Sequence, residues 1–241
     1  MEGQPTSTVR PLLVEGAVIV VSIVLAFALD AWWDDLAEGR QLRQQLGSVQ
    51  AEVRGNRDLV LFQVDLMERM IDAGEALGAA MDSAAHPGGT ITVPDTLVWL
   101  ALNTPTLDAS LGAIDALVAS GQLALIPDPA LRSRLAGLRD RIEDAVEEQV
   151  QALAVYHDHS YPRLIDGGYR TAPTLQSVLD FWADRVPGRP ARSFGMVDFS
   201  VDPVLAETLR ERGLLYTISV DEMRVLLTVL DDLEAGVAAI R

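Results

Sequence analysis

The densest concentration of metal-ligating side chains in the sequence is Tyr156-His157-Asp158-His159, which holds two of the three histidines. A zinc site needs three or four ligands converging on one point. Residues i and i+2 of a continuous helix point about 200° apart, so His157 and His159 cannot share an ion unless the helix has ended. No glycine-rich phosphate loop, nucleophile elbow or His-Glu-x-x-His pattern is present, and no serine has an identifiable base beside it. The absence of cysteine removes disulfides, thiolate chemistry and Cys-ligated zinc or iron–sulfur sites. The acid pairs Asp34, Asp35 and Asp231, Asp232 read as a membrane flank and a helix surface, not as a catalytic dyad. The expectation is no catalytic residue, no metal, no cofactor, and a protein that is not an enzyme.

The remaining chemistry is that of surfaces. Of 19 basic residues none is lysine, and with 35 acids the formal charge is −16. An acidic chain without a basic stripe repels phosphate backbones, so nucleic acid is not an expected partner. Arg185, Arg189 and Arg192 gather positive charge around the Pro187-Gly188-Arg189-Pro190 loop, where they would form an ordinary exposed loop or meet lipid phosphates or an acidic partner.

The element on which the rest depends is Pro11 to Trp33. As a helix its 23 positions span about 34 Å, enough to cross a hydrocarbon core of about 30 Å. Tandem Trp32 and Trp33 suit the headgroup level, where an apolar ring and an N–H donor are both satisfied. The small-x-small run Ala26-Phe27-Ala28 would also suit a signal peptidase. Glu15 inside the apolar run, and Arg10 as the one basic residue of the arm, favour an uncleaved anchor. Glu15, Ser22, Ala26, Asp30 and Trp33 share one side of that helix, opposite a face of Val, Leu, Ile and Phe. This stripe of small and polar residues is a candidate transmembrane interface for a helix of another subunit or of a second copy.

Glu15, then Val18-Ile19-Val20-Val21-Ser22-Ile23-Val24-Leu25-Ala26, then Asp30, Trp32, Asp34 and Asp35 resemble the start of a family of bacterial single-span membrane proteins. A second match runs from Ala109 through Ser120-Gly121-Gln122-Leu123 and Ile126 to Leu131-Arg132. It resembles that family's run of a helix, a Ser-Gly turn, an apolar pair and a helix opening on Leu-Arg. The resemblance implies an N-terminal anchor carrying a helical extracytoplasmic domain at the bacterial inner membrane. It implies no activity, because the family carries none that is agreed.

With 49% apolar content, 241 residues allow a short arm (1–10), the transmembrane helix (11–33) and one soluble domain (34–241) with a real core. Leu42, Leu46, Val49, Val53, Val60, Val64, Met67 and Ile71 predict a long helix over 34–83, with Gly55-Asn56 as a site of bending and His86-Pro87-Gly88-Gly89 as its end. Ile91-Thr92-Val93 reads as extended, followed by a short helix around Leu97–Leu100 with Trp99 in the core. A helix is predicted over Leu107–Ser120 with Leu111, Ile114, Leu117 and Val118 inward and Gly121 as its cap. Asp128 and Pro129 open another, continuing through Leu131, Leu135, Leu138, Ile142, Val146, Val150 and Leu153 to Tyr161. Its outer face carries Arg139, Asp140, Arg141, Glu143, Asp144, Glu147 and Glu148 and reads as solvated. Residues 166–201 are irregular apart from a short helix near Leu175–Ala183. From Asp202-Pro203 a last long helix runs towards Ile240 and is expected to pack antiparallel on 34–83.

The fold class expected is thus all-α, one N-terminal transmembrane helix followed by an elongated antiparallel helical bundle. The function expected is that of a membrane-anchored interaction or accessory subunit of a larger complex, respiratory or photosynthetic for example. A ligand-sensing extracytoplasmic domain is the alternative. A receptor would carry a second span and a signalling module, and neither follows before Arg241. The domain is expected in the periplasm.

Overall fold

The computed structural model describes residues 9–84, 86–167 and 195–240, with side chains from Glu15 onwards. Arg185, Arg189, Arg192, the helix expected near 175–183 and most of the N-terminal arm lie outside these residues.

Helix α1 runs unbroken from Val9 to Asp82. It passes Trp33 and Asp34 without interruption, so the expected boundary between span and domain falls inside one helix. Every described side chain from Glu15 to Glu38 is exposed, and Leu42 is the first to be buried. From there Leu46, Val49, Val53, Val60 and Met67 are fully enclosed, while Val64 and Ile71 are half-buried. Gly55-Asn56 produces no break. The helix ends where Pro87-Gly88-Gly89 forbids continuation, with Gly88 at a positive φ of 79° that a side chain rarely tolerates.

Strand β1 (Thr90–Pro94) follows and leads into α2 (Asp95–Leu102). β1 pairs antiparallel with β2 (Met196–Ser200), Thr92 opposite Asp198 and Ile91 opposite Phe199. The all-α expectation is therefore corrected by one two-stranded ribbon in an otherwise mostly helical chain. Its second strand comes from a stretch read as irregular, and a pairing across more than a hundred residues leaves no local trace beyond alternation.

The helix expected over Leu107–Ser120 is shorter: α3 spans Gly112–Ala119, and residues 103–111 form no helix. Side chains of other helices hold that segment by its backbone, which outweighs its helical propensity. Ile114 and Leu117 are buried, whereas Val118 is 46% exposed, against expectation. Gly121, at φ 74°, ends the run as expected.

α4 (Pro129–Ala136) begins with Asp128 accepting a hydrogen bond from the Ala130 N–H at 2.8 Å, the predicted cap. The single helix expected from there to Tyr161 is interrupted. Gly137 separates α4 from α5 (Leu138–Val155), a π turn occupies Tyr156–Ser160, and α6 (Tyr161–Asp166) closes the run. The inward residues of α5 are Leu138, Ile142, Ala145, Gln149 and Ala152. Val150, expected on that stripe, is 56% exposed.

α7 (Pro203–Ile240) returns along α1. Arg54 pairs with Glu234 at 2.5 Å, Arg57 with Asp231 at 2.5 Å, Arg224 with Glu68 at 2.6 Å, and Arg210 with Asp82. Partner numbers fall on α7 as they rise on α1, so the two helices are antiparallel, as expected. These are exposed pairs, and they set register more than they stabilise. The core between α1, α3, α4, α5 and α7 is apolar from Leu42 to Val237, and a second cluster gathers Leu77, Val98, Phe199 and Leu205 around the ribbon.

Candidate functional site

Three places on the chain could carry function: the exposed apolar length of α1, a polar cleft at the opposite end of the domain, and a buried cation between them.

Among the described residues one helix is long and apolar enough to cross a membrane. Its apolar window has a mean hydropathy of 2.0 and no residue in it is covered by the rest of the described chain. Residues 15–38 would extend about 36 Å as helix. Val18 through Leu29 present aliphatic surface and Phe27, and the Trp32 and Trp33 rings sit 5.8 Å apart, tilted by 59°. Glu15, Ser22, Ala26, Asp30 and Trp33 are all exposed here. The Ser22 hydroxyl donates to the Val18 carbonyl at 2.8 Å, so its hydrogen-bonding needs are met by its own helix, and it acts toward a neighbour as a small residue.

About 60 Å along α1 from Leu42 lies the far end of the domain. There Asp202 caps α7, accepting from the Val204 N–H at 2.9 Å and the Leu205 N–H at 3.2 Å, and Arg163 donates to both its oxygens at 3.2 and 2.9 Å. Burial pushes the Asp202 carboxyl up, but the Arg163 guanidinium and the two backbone N–H groups outweigh it and hold the group below its ordinary value. Asp158, His159, Arg163, Phe199, Ser200 and Asp202 line a cleft of about 380 Å³.

The two histidines of the run part company in the π turn. His157 lies against the rings of Tyr156 and Tyr161, at 5.4 and 6.5 Å between centroids, whereas His159 lines the cleft. Among the described residues no group of three His, Asp or Glu side chains is placed to hold a metal ion.

Arg212 is the buried cation. It is 1% exposed, donating to the Ala101 carbonyl at 3.0 Å, the Asn103 carbonyl at 2.5 Å and the Tyr216 hydroxyl at 3.1 Å. The rings of Tyr156 and Tyr216 lie 5.3 and 5.5 Å from its guanidinium carbon. No carboxylate pairs with it among the described residues. Carbonyls at the end of α2 carry the negative end of that helix, and aromatic faces add to it. Burial raises the Tyr156 hydroxyl above its ordinary value, with Arg212 pulling the other way.

Sequence reasoning missed the Arg163–Asp202 pair and Arg212. Asp202 before Pro203 had the form of a helix cap and could have been found; Arg212 could not, since one charged residue on an apolar stripe normally marks the stripe's edge. Comparison of the chain with known protein families, with curated proteins and with solved structures returned no match.

Proposed function

We propose that this chain is a membrane-anchored, non-enzymatic interaction or accessory protein that docks onto a larger bacterial membrane complex. The observation that carries the reading is the bare length of α1. No described side chain between Glu15 and Glu38 is covered by the chain itself, although Val18 to Leu29 is continuous apolar surface. Apolar surface of this size is costly in water and must be covered by lipid or protein. Lipid suits the middle of the segment, and the Trp pair with Asp34, Asp35 and Glu38 suits a boundary with water.

The stripe of Glu15, Ser22, Ala26, Asp30 and Trp33 would face a transmembrane helix of another subunit or of a second copy. Small side chains let backbones approach closely there, and a carboxyl near the membrane edge is less costly against a partner or the headgroups than against lipid tails. The domain would stand in the periplasm, with α1 as a rigid stalk holding its far end at a set height.

Extraction of membranes with alkaline carbonate tests the anchor. The full-length chain should stay in the pellet, and Val20→Arg with Val24→Arg should release it, because two charges at the helix centre cost about 5 to 7 kcal/mol on insertion scales. Release of the unaltered chain by carbonate would end this reading.

Ligand sensing is the second reading, favoured by the polar cleft lined by Asp158, His159 and Arg163. A sensor would show saturable binding of a small ligand that Arg163→Gln abolishes, whereas an accessory protein would not.

A further inference from the structure

Between α5 and the extended segment 107–111 runs a groove of about 300 Å³ that the site above does not use. Leu107 and Ile142 are buried at its floor, Leu111 and Val146 are half-buried, and Val150 stands 56% exposed at its mouth. Val146 and Val150 are one helical turn apart. Beside them Glu143 and Glu147 repeat the same spacing, and Asp108 faces them from the opposite lip.

No described cation is bonded to these acids. Arg139, at one end of the groove, donates to both carboxylate oxygens of Asp115 at 2.9 and 2.7 Å, and Arg141 reaches Asp144 at 3.8 Å. Among the described residues Asp108, Glu143 and Glu147 take part in no ion pair. Like charges one turn apart work against the helix that carries them, and among the described residues Arg139, itself bonded to Asp115, offsets only part of that at Glu143.

We infer that this groove is a docking site for a basic amphipathic helix of a partner protein, an inference that deepens the accessory reading and rests on it. An incoming helix with apolar residues at i, i+3, i+4 and i+7 would place them over Val146 and Val150. Arginines or lysines flanking that stripe would meet Glu143 and Glu147 on one side and Asp108 on the other. The apolar floor governs how long the partner stays, and the acidic lips govern how fast and in which orientation it arrives.

Other occupants fit less well. In the groove floor Leu107 donates to Gln149 next to the Thr106 carbonyl that Gln63 holds, about 45 Å along α1 from Trp33. That is beyond the reach of headgroups, whose potential fades within about 10 Å. A second copy brings another −16 of formal charge to an acidic lip.

The full-length chain in mild detergent can be titrated with a fluorescent synthetic peptide of about five helical turns, leucines on one stripe and arginines on its flanks. A scrambled peptide of identical composition serves as comparison. Glu143→Gln with Glu147→Gln should weaken binding of the amphipathic peptide about tenfold, and Val150→Asp should do the same. Glu211→Gln with Glu222→Gln, an equal loss of charge on the exposed face of α7, should change it less than about twofold. All of these positions are exposed, so each variant should stay folded, and the Glu143→Gln, Glu147→Gln pair should melt no lower than the parent because a repulsion is removed. Equal binding of the scrambled peptide, or an equal loss in the α7 variant, would reduce the effect to general attraction for an acidic protein and overturn the site. So would unaltered binding in the α5 variants. Because the assay runs in detergent, its outcome is independent of carbonate extraction, and failure of the anchor is read separately from failure of the groove.

Discussion

Asn56 and Ser110 exchange two hydrogen bonds across the domain: the Asn56 Nδ2 donates to the Ser110 carbonyl at 2.6 Å, and the Ser110 N–H donates to the Asn56 Oδ1 at 2.9 Å. The side-chain amide thereby plays the part of a neighbouring strand. One turn earlier on α1, Glu52 accepts from the Ala113 and Ile114 N–H groups at 2.9 and 3.1 Å, and caps α3 from outside. Further along, Gln63 donates to the Thr106 carbonyl at 2.9 Å. From α5, Gln149 accepts from the Leu107 N–H at 2.9 Å. With Arg212 of α7 on the Asn103 carbonyl, the non-helical segment 103–111 is held by polar side chains of three helices, as backbone withdrawn from water must be.

Replacing Asn56 with Ala should cost about 1 to 2 kcal/mol, because two part-buried hydrogen bonds to the Ser110 backbone are lost. Asn56→Asp keeps the acceptor and should cost about half as much. Urea denaturation of the full-length chain in detergent would measure both. A loss under about 0.5 kcal/mol for Asn56→Ala would mean that water replaces the side chain at no cost.

Arg212→Met should lower stability by about 3 kcal/mol, since the Ala101 and Asn103 carbonyls lose their donors. Arg212→Lys should restore only part of that, because an ammonium cannot span two carbonyls and stack on two rings at once. Thermal melts followed by near-ultraviolet circular dichroism would rank the three proteins, and equal melting of Lys and Arg variants would contradict the stacked geometry.

Acid should weaken the far end of the domain through Asp202. Its folded-state value lies below the ordinary carboxylate value, so its contribution is fully present above about pH 4 and is lost as pH falls through the depressed folded value. Asp202→Asn should remove that part of the acid dependence, and should cost about 1 kcal/mol at neutral pH as a weakened cap and broken ion pair. Stability measured between pH 7 and pH 3 tests the sign: a variant losing as much stability on acidification as the parent would show that other carboxylates carry the effect.

On the proposed anchor, Ser22→Leu with Ala26→Leu should weaken association with the partner helix while leaving membrane insertion intact. Both changes only add apolar bulk, and the Ser22 hydroxyl is already satisfied within its helix. Site-directed crosslinking in membranes reads the association directly. An unchanged crosslinking pattern in the double variant would leave the domain as the docking surface.

Orientation follows from the same proposal. Protease added to spheroplasts should remove residues 34–241, because a long domain translocates largely regardless of flanking charge. Arg40 and Arg43 beyond the span outnumber Arg10 before it, so local charge does not decide the direction. Resistance in intact spheroplasts with cleavage after lysis would place the domain in the cytoplasm.

Local patterns carried whatever depends on neighbours in the chain. The apolar run to Trp33, the stripe from Leu42 to Met67, the Asp128-Pro129 start and the Gly121 stop were legible because helix periodicity, capping and a left-handed glycine are set within a few residues. The antiparallel pairing of α1 with α7 was legible too, since two long apolar stripes in one domain bury each other most completely side by side. Only the tertiary structure decided where helix yields to other forms. Residues 107–111 have helical propensity, yet Asn56 and Gln149 hold their backbone, and Gln63 the Thr106 carbonyl before them, from distant helices. Ile91-Thr92-Val93 was legible as extended, but its pairing with Met196–Ser200 was not. Gln149 was invisible as a core residue for the same reason: its burial is tolerable only because the Leu107 N–H, the Ala145 carbonyl and the Ser219 hydroxyl converge on it. A buried polar group is permitted by partners far away in sequence, and no local pattern records them.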